Sequence, residues 1–405
     1  MRIVHVIDYF QPKLGYQETF LAREQSKMGH NVHVVTSDRY SPIAYQGDVA
    51  KQLLGKRVKG SGYFVEERIQ TIRLKVLFEF PHGIWLKGLE KTISELKPDI
   101  VHVHGVTNIT TVRIAIFKRK KLNFKLICDD HMLFRISDLR LFVLNKIFRH
   151  SFAQTVFKAA DALVAATYTS KLYMNKYYGY PQESIKVIPL GADHHLFKFD
   201  KLARDEIRSD LFLHDNIVFI YTGKLLADKE VHLFIQAALL LMKKNDNIRV
   251  LIIGDGSEIY KTRLKRMIED AQCDNKFLFL DAVPNSELNR YYSAADVAVW
   301  PKQATISMIE AMASGLPIII NDGSEVTKRV EHENGFTFAE GDCIDLSAKM
   351  EKLLNKELRE RMGHNARKLV EEYLNWTLIA RQFIDAVEPI HVSDIPTEDE
   401  SRQFT

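Results

Sequence analysis

Residues Val299–Asp322 read VWPKQATISMIEAMASGLPIIIND. An apolar strand ends at Trp300-Pro301, a short polar loop follows, and a helix opens near Thr305. A turn at Gly315-Leu316-Pro317 then leads into a second apolar strand, which makes the segment a βαβ unit. At about 100° per residue, Thr305, Ile306, Met308, Ile309, Met312 and Ala313 share one side of the helix. Ser307, Glu310 and Ser314 fall within about 60° of one another on its edge. The first side is core. The second offers a carboxylate between two hydroxyls, beside a helix N-terminus whose free N–H groups favour an anion. A ribose next to a diphosphate suits that place. Spacing alone leaves open a surface glutamate on a packing helix.

Outward from this unit, strand and helix patterns alternate along the chain, which argues for parallel sheets. In the first half Arg2–Asp8, Asn31–Ser37, Ile100–Gly105, Lys125–Asp129 and Ala162–Ala166 read as strands. Gln17–Met28 and the amphipathic segment Asp138–Lys158 read as helices between them. A second sheet begins at Ile217–Thr222 and continues through Arg249–Gly254, Lys276–Asp281, Val297–Pro301 and Pro317–Asn321. The expected architecture is α/β, two doubly wound Rossmann-like domains, with ligand in the cleft outside the carboxyl ends of the strands. Lys349–Tyr373 and Asn375–Val387 read as terminal helices, the latter with Trp376, Ile379 and Phe383 along one stripe. After Pro389 the chain turns polar and acidic, so residues 392–405 have the composition of a disordered tail.

The 405 residues, 46% of them apolar, suffice for two sizeable cores. No apolar run approaches about 18 residues, and MRIVHVID is a strand pattern, not a charged leader. Neither a signal peptide nor a membrane span is expected, and the location implied is cytoplasmic. Cys128, Cys273 and Cys343 lie far apart with no CxxC spacing and no evident histidine cluster, the pattern of buried cytosolic thiols without structural zinc. Charge is uneven. Residues 1–200 carry 30 Lys and Arg against 18 Asp and Glu, and the remainder carries 26 against 34. Lys51–Lys59, Lys118–Lys121 and Lys146–His150 interleave basic and apolar residues. Contact with an anionic membrane and ordinary solvated faces both fit that pattern. Nothing is read as a nucleic-acid site.

Candidate chemistry clusters after strand ends. Val218–Glu230 reads as a strand, a turn at Gly223, Lys224, and a helix capped by Asp228 with Lys229 in its first turn. A cation there is disfavoured by ~0.3–1 kcal/mol unless an anion binds. Gly254 closes another strand. Gly15, Tyr16 and Gln17 follow the first strand, where a glycine permits close backbone approach or merely a tight turn. His131 stands past a strand end after Asp129-Asp130, two carboxylates that point to opposite sides of a strand.

The pattern PxxxxxxxxEAMASGLPII from Pro301 to Ile319 resembles the donor-site signature of family 4 (group 1) glycosyltransferases. These are retaining enzymes of the GT-B fold that use nucleotide-activated sugars, and the resemblance runs from Arg2 to about Val387. It implies that Glu310 binds the nucleotide ribose and that the N–H groups at Thr305, Ile306 and Ser307 meet the diphosphate. Lys224 and Lys229 match an Arg-xxxx-Lys pair that holds the diphosphate. Lysine at the first position is a point charge without the bidentate fork. Gly223 and Gly254 match donor-side loops. His131 matches a histidine beside the transferred sugar. Gly15 keeps the first of two usual glycines on the acceptor side, Tyr16 replaces the second, and Gln17 follows. Lys302 replaces the first glutamate of a Glu-x7-Glu signature, and Gln303 is available to bond sugar hydroxyls in its stead.

The resemblance further implies domains at 1–195 and 196–374, with a helix in 375–391 crossing back to complete the first. Neither metal nor other cofactor is expected. The implied function is retaining transfer from a nucleoside diphosphate sugar to a glycan, a polyprenyl-linked or another lipid-linked acceptor, in surface polysaccharide or glycolipid assembly at the inner face of the membrane. The alternatives are a catalytically silent binding or scaffold subunit, motivated by Lys302, and a sugar-nucleotide epimerase.

Overall fold

Runs such as Arg2–Val6 and Ile217–Thr222 are β-branched or aromatic at most positions, the composition of strands covered on both faces of a parallel sheet. The computed structural model describes residues 1–42, 45, 48–80, 83–120, 123–130, 139–302, 305–323, 327–330 and 332–388. The chain divides into two units, Met1–Leu190 with the chain from Trp376, and Gly191–Asn375.

The first unit contains β1 (Arg2–Val6), β2 (Asn31–Ser37), β3 (Gly62–Glu66), β4 (Ile69–Leu74), β5 (Val76–Phe80), β6 (Gly83–Leu86), β7 (Ile100–His104), β8 (Lys125–Asp130), β9 (Ala162–Ala165) and β10 (Ile185–Val187). Its main sheet has the order β10-β9-β8-β7-β1-β2-β4-β3, with only β3 antiparallel to its neighbour. β5 and β6 form a separate hairpin. The second unit contains β11 (Ile217–Thr222), β12 (Ile248–Ile253), β13 (Phe277–Leu280), β14 (Val297–Trp300), β15 (Ile318–Asn321) and β16 (Gly335–Phe338). All six are parallel, in the order β13-β12-β11-β14-β15-β16. Strand order reverses between β11 and β14, and in the first sheet between β1 and β7, and sheets of this kind bind ligands in the crevice at the carboxyl ends of the strands that flank such a reversal.

Several expectations need correction. The helix expected over Asp138–Lys158 is two, Leu139–Ser151 and Ala153–Ala159. The one expected over Lys349–Tyr373 is also two, Cys343–Lys352 and Lys356–Tyr373, because the Asn355 side chain caps a fresh N-terminus by accepting from the Leu358 N–H at 2.8 Å. The strands β3–β6, β10 and β16 went unread. β3 exposes Tyr63 and Val65, the reverse of the half-buried pattern that marks a strand, and β16 has four residues.

The helix Trp376–Asp385 belongs to the first unit. Trp376 stacks on Phe20 at 5.1 Å between ring centroids, and the Phe383 ring lies 4.7 Å from that of His102. Thr377 Oγ1 donates to Glu24 Oε2 at 2.8 Å. In the second unit, a Cβ at Gly363 would sit 2.1 Å from the Gly315 carbonyl oxygen, so only glycine lets the helix Lys356–Tyr373 press against the Gly315–Pro317 turn. Among the described residues no helix is long and apolar enough to cross a membrane.

Candidate functional site

In the second unit the strand ends are tied together before any ligand arrives. The Thr222 carbonyl, last of β11, accepts from Trp300 Nε1 at 3.1 Å and from Ser307 Oγ at 3.3 Å. Tyr292, fully buried, shares a 2.7 Å hydrogen bond with Thr222 Oγ1 and donates to the Ser307 carbonyl at 3.1 Å. Side chains thus add to the β11–β14 backbone pairing and tie both strands to the helix Ile306–Ala313. Gly223 and Gly254 close β11 and β12, and a Cβ at Gly254 would lie 1.8 Å from the Gly223 carbonyl oxygen. With φ of 159° at Gly254 as well, only glycine allows these two loops to touch.

Thr305 is the N-cap of Ile306–Ala313, with φ −129° and ψ 169°, and its hydroxyl pairs with Ser307 Oγ at 2.5 Å. The first N–H groups of a helix have no intrahelical acceptor, and Thr305, Ile306 and Ser307 at this turn are only part-buried. Lys224 is exposed just past β11. Lys229 sits elsewhere than the sequence implied: Ala227–Lys229 is a 3-10 turn, and the helix begins afterwards at Val231. Its cation therefore precedes the helix, on the loop that leaves β11.

Glu310 was placed on a helix edge by its spacing, and the structure buries it, at 1% exposure. Asn285 Nδ2 donates to Glu310 Oε1 at 2.8 Å, while Ser314 Oγ donates to Asn289 Oδ1 at 3.1 Å. Burial pushes the Glu310 carboxyl up to about 8, with Asp193 adding to the rise and the Asn285 bond opposing it. In an unfolded chain this group titrates near its ordinary value of 4.5. The stability it lends is complete below that value and is lost as pH rises through about 8, because over that range the unfolded state alone releases the proton. Glu310→Gln does not titrate. Its stability is expected to gain on the native protein's progressively from pH 5 to pH 8, at up to ~1.4 kcal/mol per pH unit, and to hold that advantage above, as read from denaturation across the pH range. A gap that does not change with pH would show that Glu310 ionises normally.

In the first unit Gly15 has φ 70° and ψ 36°, and Tyr16 is the N-cap of the helix Gln17–Lys27. Gln17 Nε2 lies 3.5 Å from Asp129 Oδ2. All three residues follow β1 on the side of the β1/β7 crevice. His131 and Gln303 lie outside the described residues.

Two groupings escaped the sequence reading. The first corrects the expectation of no clustered histidine. His5, His102 and His104 are buried together, with one ring nitrogen of each within 4.8 Å of the others. Asp129 Oδ2 bonds His102 Nε2 at 3.0 Å and His104 Nδ1 at 2.9 Å, and His5 lies 3.0 Å from His104 Nε2 and 2.8 Å from Gln25 Oε1. Burial, then repulsion from the other two rings, holds the His5 pKa well below its usual value. His-Val-His at 102–104 was the available signal, since a spacing of two puts both rings on one strand face. The second grouping is Lys302 Nζ, 2.9 Å from Glu230 Oε1 and 2.8 Å from Glu340 Oε1.

The profile of Glycosyltransferase Family 4 matches residues 19–196, and that of Glycosyl transferases group 1 matches residues 203–369. The chain belongs to the group 1, family 4 glycosyltransferases. Within that family it is 30% identical over 215 residues to the capsular polysaccharide biosynthesis glycosyltransferase CapM of Staphylococcus aureus, covering 49% of this chain and 53% of CapM. It is 24% identical over 217 residues to the GDP-mannose-dependent α-(1-6)-phosphatidylinositol monomannoside mannosyltransferase of Mycobacterium tuberculosis, covering 51% and 56%. The matches span about half the length of these relatives. The crystal structure of Anabaena HepE in complex with UDP superposes with a TM-score of 0.74 at 17% identity, over 96% of this chain and 99% of that one. The family fold is GT-B, and both Rossmann-like units follow it.

Proposed function

We propose that this chain is a retaining glycosyltransferase that moves a sugar from a nucleoside diphosphate sugar to a glycan or lipid-linked acceptor in surface polysaccharide or glycolipid assembly. One observation carries the reading. At the β11/β14 crevice the chain gathers two lysines, Gly223 and Gly254, the N-terminus of Ile306–Ala313, and the buried carboxyl of Glu310. Lys224, Lys229 and the N–H groups at Thr305, Ile306 and Ser307 would take the diphosphate, and Glu310 the ribose. CapM and the mannosyltransferase support a polysaccharide or lipid acceptor, and the UDP bound to HepE supports a uridine donor.

In the reaction the bond from the sugar's anomeric carbon to the diphosphate oxygen breaks, and the acceptor hydroxyl oxygen bonds that carbon from the same face. The acceptor proton passes to the departing phosphate oxygen. The lysines and helix N–H groups stabilise the charge growing on the diphosphate, where preorganised donors act most strongly. This chemistry calls for neither a metal nor a protein nucleophile. His131 is assigned to the sugar side by family resemblance, and Gly15, Tyr16 and Gln17 to the acceptor.

The helix Leu139–Ser151 supports work at a membrane surface. Val143, Leu144 and Ile147 are exposed on it at 41–52%, beside exposed Lys146, Arg149 and His150, with Phe152 following. An apolar strip flanked by cations fits an anionic bilayer at the cytoplasmic face. The test is release of UDP from UDP-sugars by the protein on anionic vesicles carrying membrane-extracted acceptor lipids, with and without EDTA. Turnover that depends on the acceptor and survives EDTA is expected. Nucleotide binding without turnover of any donor would instead mark a silent subunit.

A further inference from the structure

Lys302 follows β14 and Glu230 follows β11, so the two residues flank the point where strand order reverses. Glu340 reaches the same lysine from the loop after β16. The cluster holds one cation and two carboxylates, which gives it one net negative charge. Lys302 Nζ engages Oε1 of each glutamate. The other oxygen of Glu230, Oε2, is buried and has no hydrogen-bond partner among the described residues. A buried carboxylate oxygen left unbonded is costly, more so than a neutral acceptor. The backbone adds to the cost, because Glu230 has φ 53° and ψ 32°, a left-handed conformation disfavoured for any residue with a Cβ. Among the described residues, hydrogen bonding accounts for the placement of Oε1, held by Lys302, and not for that of Oε2.

We propose that Glu230 reads the donor sugar: its Oε2 accepts a hydrogen bond from a sugar hydroxyl, and the Glu230–Lys302–Glu340 cluster selects neutral sugars over uronic acids. This rests on the donor site proposed above and adds the class of sugar. A hydroxyl supplies the donor that Oε2 lacks. A uronate would bring a third carboxylate to a cluster with one cation, and like charges at such range repel in a partly desolvated site. Lys302 is thereby a positioning residue. It holds the Glu230 carboxylate in one orientation and does not itself meet the sugar.

The test uses the full chain and calorimetric titration with UDP, UDP-glucose and UDP-glucuronate, with GDP and GDP-mannose in parallel. In the native protein the neutral sugar nucleotide is expected to bind at least tenfold more tightly than UDP-glucuronate. Glu230→Gln keeps the shape and is expected to weaken the neutral sugar nucleotide about tenfold while leaving the free nucleotide within twofold. Glu230→Gly relieves the backbone strain. It is expected to melt at the same temperature as the native protein or higher and yet lose the same tenfold, an outcome a purely structural role would not give. Sugar-nucleotide affinity unchanged in both variants, with UDP or GDP still bound, would overturn the assignment of Glu230. Equal affinity for UDP-glucose and UDP-glucuronate in the native protein would overturn the charge argument. Failure of every nucleotide to bind the native protein would overturn the donor site itself and this inference with it.

Discussion

Trp376→Ala is expected to destabilise the first unit by ~3–5 kcal/mol, the range for removing a large aromatic side chain from a packed interior. Trp376 is 2% exposed and stacks on Phe20 with ring planes 9° apart. Behind it on the same helix Ile379, Ala380 and Phe383 are buried, so the cavity opens along the whole seam between this helix and Gln17–Lys27. Neighbours tied into hydrogen bonds, such as Glu24 with Thr377, are poorly placed to collapse into it. Trp376→Phe separates volume from polarity. Trp376 Nε1 is buried without a partner among the described residues, so phenylalanine restores most of the contact and removes an unsatisfied donor, for a net change under ~1.5 kcal/mol. Hydrogen exchange under mild denaturant reads each unit separately. Protection of β1 and β7 should fall in Trp376→Ala while that of β11 and β12 holds. A loss under 1 kcal/mol in the first unit would mean that the helix rests on it without being part of its core.

Lys229→Ala is expected to weaken nucleoside diphosphate binding by ~1.5–3 kcal/mol, roughly 10- to 150-fold, the range for a charge-assisted hydrogen bond. Lys229 is part-buried on the loop that leaves β11, where water screens its charge less than on an open surface. Lys224 is exposed and should contribute at the scale of surface ion pairs, ~0.2–1 kcal/mol. The ordering of the two variants is thus as informative as either value. Calorimetry with UDP and GDP measures both, and melting curves check that the fold persists. Affinity retained in a folded Lys229→Ala would remove that residue from the diphosphate site, whereas a larger loss at Lys224 would move the phosphates towards Gly223.

Local pattern carried most of the strands, since the core strands of both sheets are largely apolar runs bounded by turns, interrupted mainly by the histidines of β1 and β7 and the aspartates of β8. It failed at β3, where Tyr63 is 80% and Val65 76% exposed, because an edge strand with its apolar residues in water carries no burial signal. The position of Glu310 on its helix followed from 100° spacing, but its burial did not. That depends on Asn285, 25 residues earlier, closing over the carboxyl. Lys302 could be read only as a lysine in an acidic position. Its partners come from 72 residues before it and 38 after, distances at which periodicity has nothing to say. The histidine cluster sits between these cases: His102 and His104 share a face by spacing, while His5 joins them through the β1–β7 register, which pairs it with His102.

The return of the chain to the first unit at Trp376 also sets an order of events during synthesis. The sheet of that unit is complete with β10 at Val187, yet the helix that covers Phe20 and His102 is made only after residues 191–375, which form the second unit. At about 5–20 residues per second, the wait is roughly 10–40 s. Throughout that interval the seam on Gln17–Lys27 stands open to any apolar chain nearby, while the second unit, continuous in sequence, is free to fold to completion. Among the described residues, the helix made last covers one made near the start.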